Sequence, residues 1–318
     1  MKNHLMKVLI AGFILFLCLT VVIPGNLVAL DDNEIDNSLN EEWHKEFKEL
    51  DKVDYPVIFV HGIAGELGHW EGMINKVFGS DYYEMRYLYD ENIFHNYYGE
   101  KPEEWVWNTS YYTVNTIQES LEGDITIYAQ RFGKIVERIK QITGKEKVII
   151  VAHSMGGLVT RKYMTLNQEC WDSVYKILTV GTPHRGVGTS IGIVGQLEDL
   201  RKDSDFIKKL DKDWAALEEK TSYQKWGVVG GLDTRSILSN PMGKPKATDS
   251  AGPGFVAIYS AIPFGEWKLA EDNFKGVDYN TSHFGFRTAV SSTHMGLLNH
   301  PGTFQGILWS MSHNQEKE

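Results

Sequence analysis

Residues 147–163 read KVIIVAHSMGGLVTRKY. A serine hydroxyl is a poor nucleophile until a base takes its proton, and it must also project clear of the backbone. A sharp strand-to-helix turn projects it, but crowds the positions two before and two after the serine, so both need small side chains. Here they are Ala152 and Gly156, with Gly157 next, an apolar run before and a helical pattern after. Ser154 is therefore the candidate nucleophile, and the chemistry it points to is acyl transfer through a covalent intermediate.

Acyl transfer also needs two N–H groups to hold the developing oxyanion. The turn aims the Met155 N–H at the carbonyl under attack. A second turn, HGIAGE, follows the apolar run Val57 to Val60, and its Ile63 N–H is the candidate second donor. Behind an elbow of this kind the acid and then the histidine follow in chain order. The stretch SSTHMGLLNHP offers His294 and His300. His294 stands just before a small apolar stretch and the last helix and is the better base; His300 precedes Pro301 and reads as a loop residue. His153 adjoins the serine but points elsewhere, while His61, His69 and His184 share the rim as structural or substrate-facing residues. For the acid, Asp249 in ATDSAGPGFVAIYSA and Asp233 just past WGVVGG both remain open, with Asp278 a weaker third. One of them must hold the imidazole in a single tautomer and stabilise its charged form.

These residues need a scaffold. Strands are expected at 57–60, 84–89, 147–152, 174–180 and 226–231, with one more at 255–259. Helices are expected at 124–143, 156–167 and about 302–311, and a leader helix within 31–52 that packs Trp43 and Phe47 on the body. Alternating strands and helices define an α/β class with a mainly parallel sheet covered on both faces. Functional residues then gather on loops at the carboxyl ends of the strands, where HGIAG, AHSMGG, GTPHRG and GGLD all fall. Residues 90–123 are rich in aromatics that either pack over the core or line a cleft. With the Gly-rich and charged stretch 188–222 they read as lid-like insertions.

The N-terminus carries Lys2 and Lys7 and then sixteen uncharged residues, 8–23, ended by Pro24-Gly25. Ala29 is a plausible cleavage residue, so residues 1–29 read as an export signal and not as a retained membrane anchor, the apolar run being short for a full span. The domain reading is a signal peptide at 1–29, a polar leader at 30–54 and one catalytic domain at 55–318. Cleavage would move the net charge from −10 to −12 by removing two lysines. No basic block exists, so nucleic acid is not an expected partner. Cys170 would be alone in the exported chain, which rules out an internal disulfide there; it reads as a buried small apolar residue.

The motifs VHGIAG, VAHSMGGL, LTVGTPHRG and THMGLL together resemble the bacterial secreted lipase and esterase branch of the α/β-hydrolases, over about residues 55–310. The resemblance implies Ser154 as nucleophile, His294 as base, and Ile63 and Met155 as oxyanion donors. It implies acyl esters or lipids as substrates, contact with a lipid interface, no cofactor or catalytic metal, and no obligate protein partner. Related lipases carry an Asp-Gly-x-Val stretch before Ser-Ala. Here GFVAIYSA matches its later part, but Pro253 stands where the aspartate would be. Asp249, four residues earlier, ranks slightly above Asp233 as the acid.

Overall fold

The computed structural model describes residues 32–89, 92–98, 104–113, 116–187, 196–202, 204–233, 248–249, 256–263, 268–269, 272–273 and 284–314. The proposed signal segment, Asp278, Pro253 and residues 188–195 lie outside them.

A leader helix α1 (Asp32–Glu49) precedes β1 (Val57–Val60), α2 (Glu71–Phe78), β2 (Tyr82–Tyr87), β3 (Ile93–Tyr98) and β4 (Val106–Ser110). Then come α3 (Thr116–Glu122), α4 (Ile125–Thr143), β5 (Val148–His153), α5 (Met155–Met164), α6 (Gln168–Asp172) and β6 (Val174–Val180). The chain continues through α7 (Gln196–Asp199), α8 (Asp205–Glu218), β7 (Trp226–Gly231) and α9 (Ile258–Ala261). A short pair, β8 (Lys268–Leu269) and β9 (Asp272–Asn273), precedes β10 (Phe284–Val290), a 3-10 turn (Gly296–Asn299) and α10 (Pro301–Met311).

Among the described residues, eight strands form one sheet in the order β10-β7-β6-β5-β1-β4-β2-β3. Every neighbouring pair is parallel except β2–β3, which is an antiparallel hairpin at one edge. This is the α/β-hydrolase fold expected from the sequence. Successive residues of a strand point to opposite faces, so a sheet covered on both sides needs continuous apolar strands. Accordingly Ile58, Val60, Ile150 and Ala152 join one core with α4, α5 and α8. Val57, Phe59, Ile149 and Val151 join the other with α1, α2 and α10.

The long helix α4 starts and stops where its residues dictate. The Asp124 side chain accepts from the N–H groups of Thr126 and Ile127, and Gly144, at φ 68°, closes the helix by donating to the Lys140 carbonyl. A left-handed C-terminal residue costs glycine nothing.

Three readings change. Residues 90–123 are not simply a cover: β3 and β4 belong to the main sheet, and β4 lies between β1 and β2. Its polar residues Asn108, Thr109 and Ser110 are buried, which hides the strand from a hydrophobicity pattern. The expected strand at 255–259 is instead a bridge at Ala257 followed by the helical turn α9. An apolar run this short does not distinguish the two conformations. Cys170 is half-buried on α6 and not a core residue.

The leader does pack as its aromatic spacing implied. Trp43 stacks on Phe304 of α10 at 4.6 Å between centroids, and Phe47 meets Phe78 edge-on at 4.8 Å. Trp43→Ala should lower the unfolding free energy by about 3 kcal/mol, the lower end for truncating a buried tryptophan. Denaturant unfolding measures this, and a change under 1 kcal/mol would mean that α1 is not part of the cooperative fold.

Candidate active site

Ser154 follows β5 directly and precedes α5, with φ 55° and ψ −130°. A non-glycine residue held there stores backbone strain that neighbouring contacts must sustain. Two contacts do so. The Ser154 N–H donates to the Val180 carbonyl of the adjacent strand at 2.8 Å, and the Gly157 N–H donates back to Ser154 O at 3.1 Å. The glycines are steric requirements. A Cβ at Gly156 would lie 2.2 Å from the His61 carbonyl oxygen, and one at Gly157 would lie 2.1 Å from Thr182 Oγ1. A Cβ at Gly62 would lie 2.8 Å from the Ser154 Cβ. The turns after β1 and β5 are thus pressed together, and the side chain of Ser154 stands at their junction.

The turn after β1 has its own supports. The His61 Nδ1–H donates to the Gly62 carbonyl at 2.7 Å, and Tyr111 Oη–H donates to the His61 carbonyl at 3.1 Å. Tyr111 also stacks on the His61 ring at 4.2 Å. Ala64 takes φ 55°, so the chain turns sharply just past Ile63. Among the described residues the Ile63 N–H has no backbone acceptor. Met155 opens α5, so its N–H has no acceptor within that helix either. Tyr111 is a support that sequence reasoning missed, because nothing in an aromatic-rich stretch marks which ring reaches back under a turn.

His294 lies in the loop after β10. Its Nδ1 meets Asp249 Oδ2 at 2.6 Å, and its backbone N–H donates to the Asp249 carbonyl at 2.8 Å. Asp249 is fully buried, and its other carboxylate oxygen accepts from the Val256 N–H at 3.0 Å. A carboxylate taken out of water needs such donors. Gly181, at φ 56°, leaves room for the His294 ring: a Cβ there would sit 3.2 Å from His294 Nδ1. Asp233 is buried beside this pair, and its N–H donates to the Thr248 carbonyl at 2.9 Å.

The remaining histidines divide as follows. His300 is not a plain loop residue but the N-cap of α10, its Nδ1 accepting from the Gly302 N–H at 3.0 Å. His184 is structural. It accepts from Arg161 Nη1 at 3.1 Å, and that buried guanidinium also pairs with Asp211 at 3.1 Å between the rings of Trp214 and Trp226. His153 directs its Nε2 to the His294 carbonyl oxygen at 3.0 Å.

The comparisons agree with this fold. Residues 51–223 match the model of the PGAP1-like alpha/beta domain, and the chain belongs to that family within the α/β-hydrolase superfamily. Among solved structures, the lin2722 gene product of Listeria innocua is similar at 14% identity and TM-score 0.54, over 81% of this chain and 93% of that one. Aspergillus fumigatus lipase B is similar at 14% identity and TM-score 0.51, over 83% of this chain and 54% of its own. At that identity the likeness is one of fold. No curated protein sequence matches the chain.

Burial sets the charge of the site's histidines. It pushes His61 down to about 3 and His69 to about 4, and holds His153 and His184 well below the usual imidazole range. The unfolded chain takes up these protons near pH 6.5, whereas the folded chain does so only at far lower pH. Their contribution to stability is therefore full above about pH 6.5 and is lost on acidification, at up to about 1.4 kcal/mol per pH unit for each group. The melting temperature should fall clearly between pH 7 and pH 5; equal values would contradict the buried neutral histidines.

Proposed function

We propose that the protein is a serine hydrolase of carboxylic esters, with Ser154 as nucleophile, His294 as base and Asp249 as acid. The observation that carries this reading is the short bond between buried Asp249 and His294, on a loop beside a strained serine. In this reading His294 takes the Ser154 proton as Oγ attacks the substrate carbonyl, and Asp249 stabilises the imidazolium that forms. The N–H groups of Ile63 and Met155 hold the oxyanion. The imidazolium then protonates the leaving alcohol, and water repeats the sequence on the acyl-enzyme. None of these steps calls for a cofactor.

Apolar acyl groups suit the rim. Met295, next to His294, is 45% exposed, and the partly buried Ile63 and Leu232 flank the oxyanion turn and Asp233. Lipid-like esters are therefore the proposed substrates. The N-terminal segment 1–29 supports export followed by cleavage. Among the described residues no helix is long and apolar enough to cross a membrane. The Asp249–His294 pair favours an enzyme over a hydrolase fold retained only for binding.

Ser154→Ala should abolish hydrolysis of p-nitrophenyl esters and labelling by a fluorophosphonate; retained turnover would sink the assignment. Asp249→Asn should lower kcat by about 10³–10⁴-fold, as expected when the base loses its orienting carboxylate. Asp233→Asn should stay within about tenfold of the parent, an effect consistent with a structural hydrogen bond. The reverse order would make Asp233 the acid. A series of ester chain lengths, set beside amides and thioesters, defines the acyl preference.

A further inference from the structure

The three histidines at the centre of the rim form a chain. His153 Nε2 lies 3.0 Å from the His294 carbonyl oxygen, and its Nδ1 lies 3.0 Å from His69 Nε2. The rings are in contact along the way, with centroids 4.5 Å apart for His153–His294 and 5.0 Å for His69–His153. We propose that His69 and His153 are positioning residues for the base: a hydrogen-bonded relay that ties the backbone of His294 to the strand bearing the nucleophile. The proposal rests on the reading of Ser154 and His294 as nucleophile and base.

The direction of each bond follows from chemistry. A carbonyl oxygen only accepts, so His153 must carry its proton on Nε2. A neutral ring then has a bare Nδ1, which accepts from the Nε2–H of His69. Burial supports the neutral forms, since both rings resist protonation well below the usual range. The imidazolium that forms on His294 during turnover is thus not faced by two further charges.

The mechanical consequence is specific. The N–H of His294 is fastened to the Asp249 carbonyl, its ring to the Asp249 carboxylate and its carbonyl to His153. His153 is the residue before Ser154, so one bond separates the base's backbone from the nucleophile's own strand. His69 adds the third loop. It belongs to the segment that leaves the oxyanion turn, where its N–H donates to the Glu66 carbonyl at 3.2 Å. A Cβ on Gly65 of that turn would lie 3.0 Å from His69 Nδ1 and 2.9 Å from the His61 Cβ. The following residue, Trp70, is anchored to the Val60 carbonyl through its indole N–H at 2.9 Å. The relay therefore joins the oxyanion turn, the nucleophile turn and the base loop. Geometry of this kind governs rate more than binding, because a displaced base slows proton transfer while substrate still binds.

The test compares His153→Leu, which keeps bulk and loses the donor, with His153→Gln, whose amide NH₂ reaches where Nε2 was. With p-nitrophenyl butyrate, His153→Leu should lower kcat about tenfold with KM within twofold of the parent, the size expected for one lost buried hydrogen bond. His153→Gln should recover most of that loss. His69→Leu should fall between the two. Equal losses for Leu and Gln, or a loss confined to KM, would overturn the relay. Nitrogen-15 spectra of the ring atoms provide a readout independent of turnover and of variant folding: wild-type His153 should be the neutral Nε2–H tautomer. A neutral Nδ1–H tautomer there overturns the relay by itself. If the wild-type chain neither hydrolyses esters nor labels with a fluorophosphonate, the hydrolase reading fails, and the tautomer alone then decides whether the relay exists.

Discussion

The close approach of two neighbouring turns governs this site. The segments after β1 and β5 come together until glycine is required on both sides, at Gly62 against Ser154 and at Gly156 against the His61 carbonyl. The parallel pairing of β1 with β5, from Val57 with Ile149 to Val60 with Ala152, brings the two turns to the same level. Strand and helix then force Ser154 into a conformation that costs on the order of 1–3 kcal/mol elsewhere. The two cores, one on each face of the sheet, supply the rigidity that sustains it.

Polar groups around the site are held by the same logic. A buried donor or acceptor without a partner is costly, so each one fixes its neighbour. Tyr111 secures the His61 carbonyl, His61 secures the Gly62 carbonyl, and Ser110 meets His61 Nε2 at 3.1 Å. Further from the site, Arg161 is enclosed by Asp211, His184 and two tryptophans. Removing one partner there would leave a buried charge, so the group acts as a unit that locks α5 to α8.

Much of the scaffold was legible in the sequence. Strands β1, β5, β6 and β7 are apolar runs because both faces of each are buried, and α4 announces itself by Asp124 and Gly144. Other elements were not legible. Strand β4 buries Thr109, whose hydroxyl donates to the Phe59 carbonyl at 2.8 Å, and so reads as polar. Strand β10 carries Gly285, where a Cβ would lie 2.5 Å from the Trp309 ring, a contact that becomes visible only with α10 in place. Helix α9 hides in an apolar run that strand and helix share.

By itself the sequence determined the local requirements: small residues on both sides of Ser154, a turn able to present the Ile63 N–H, and a histidine late in the chain. These are local because sterics and hydrogen-bond geometry act over a few residues. Tertiary structure decided the partners. Asp249 meets His294 Nδ1, 45 residues along the chain, and His153 meets the His294 carbonyl oxygen. Residue spacing does not encode such pairs, because the length of a loop leaves the direction of its side chains free until packing sets it.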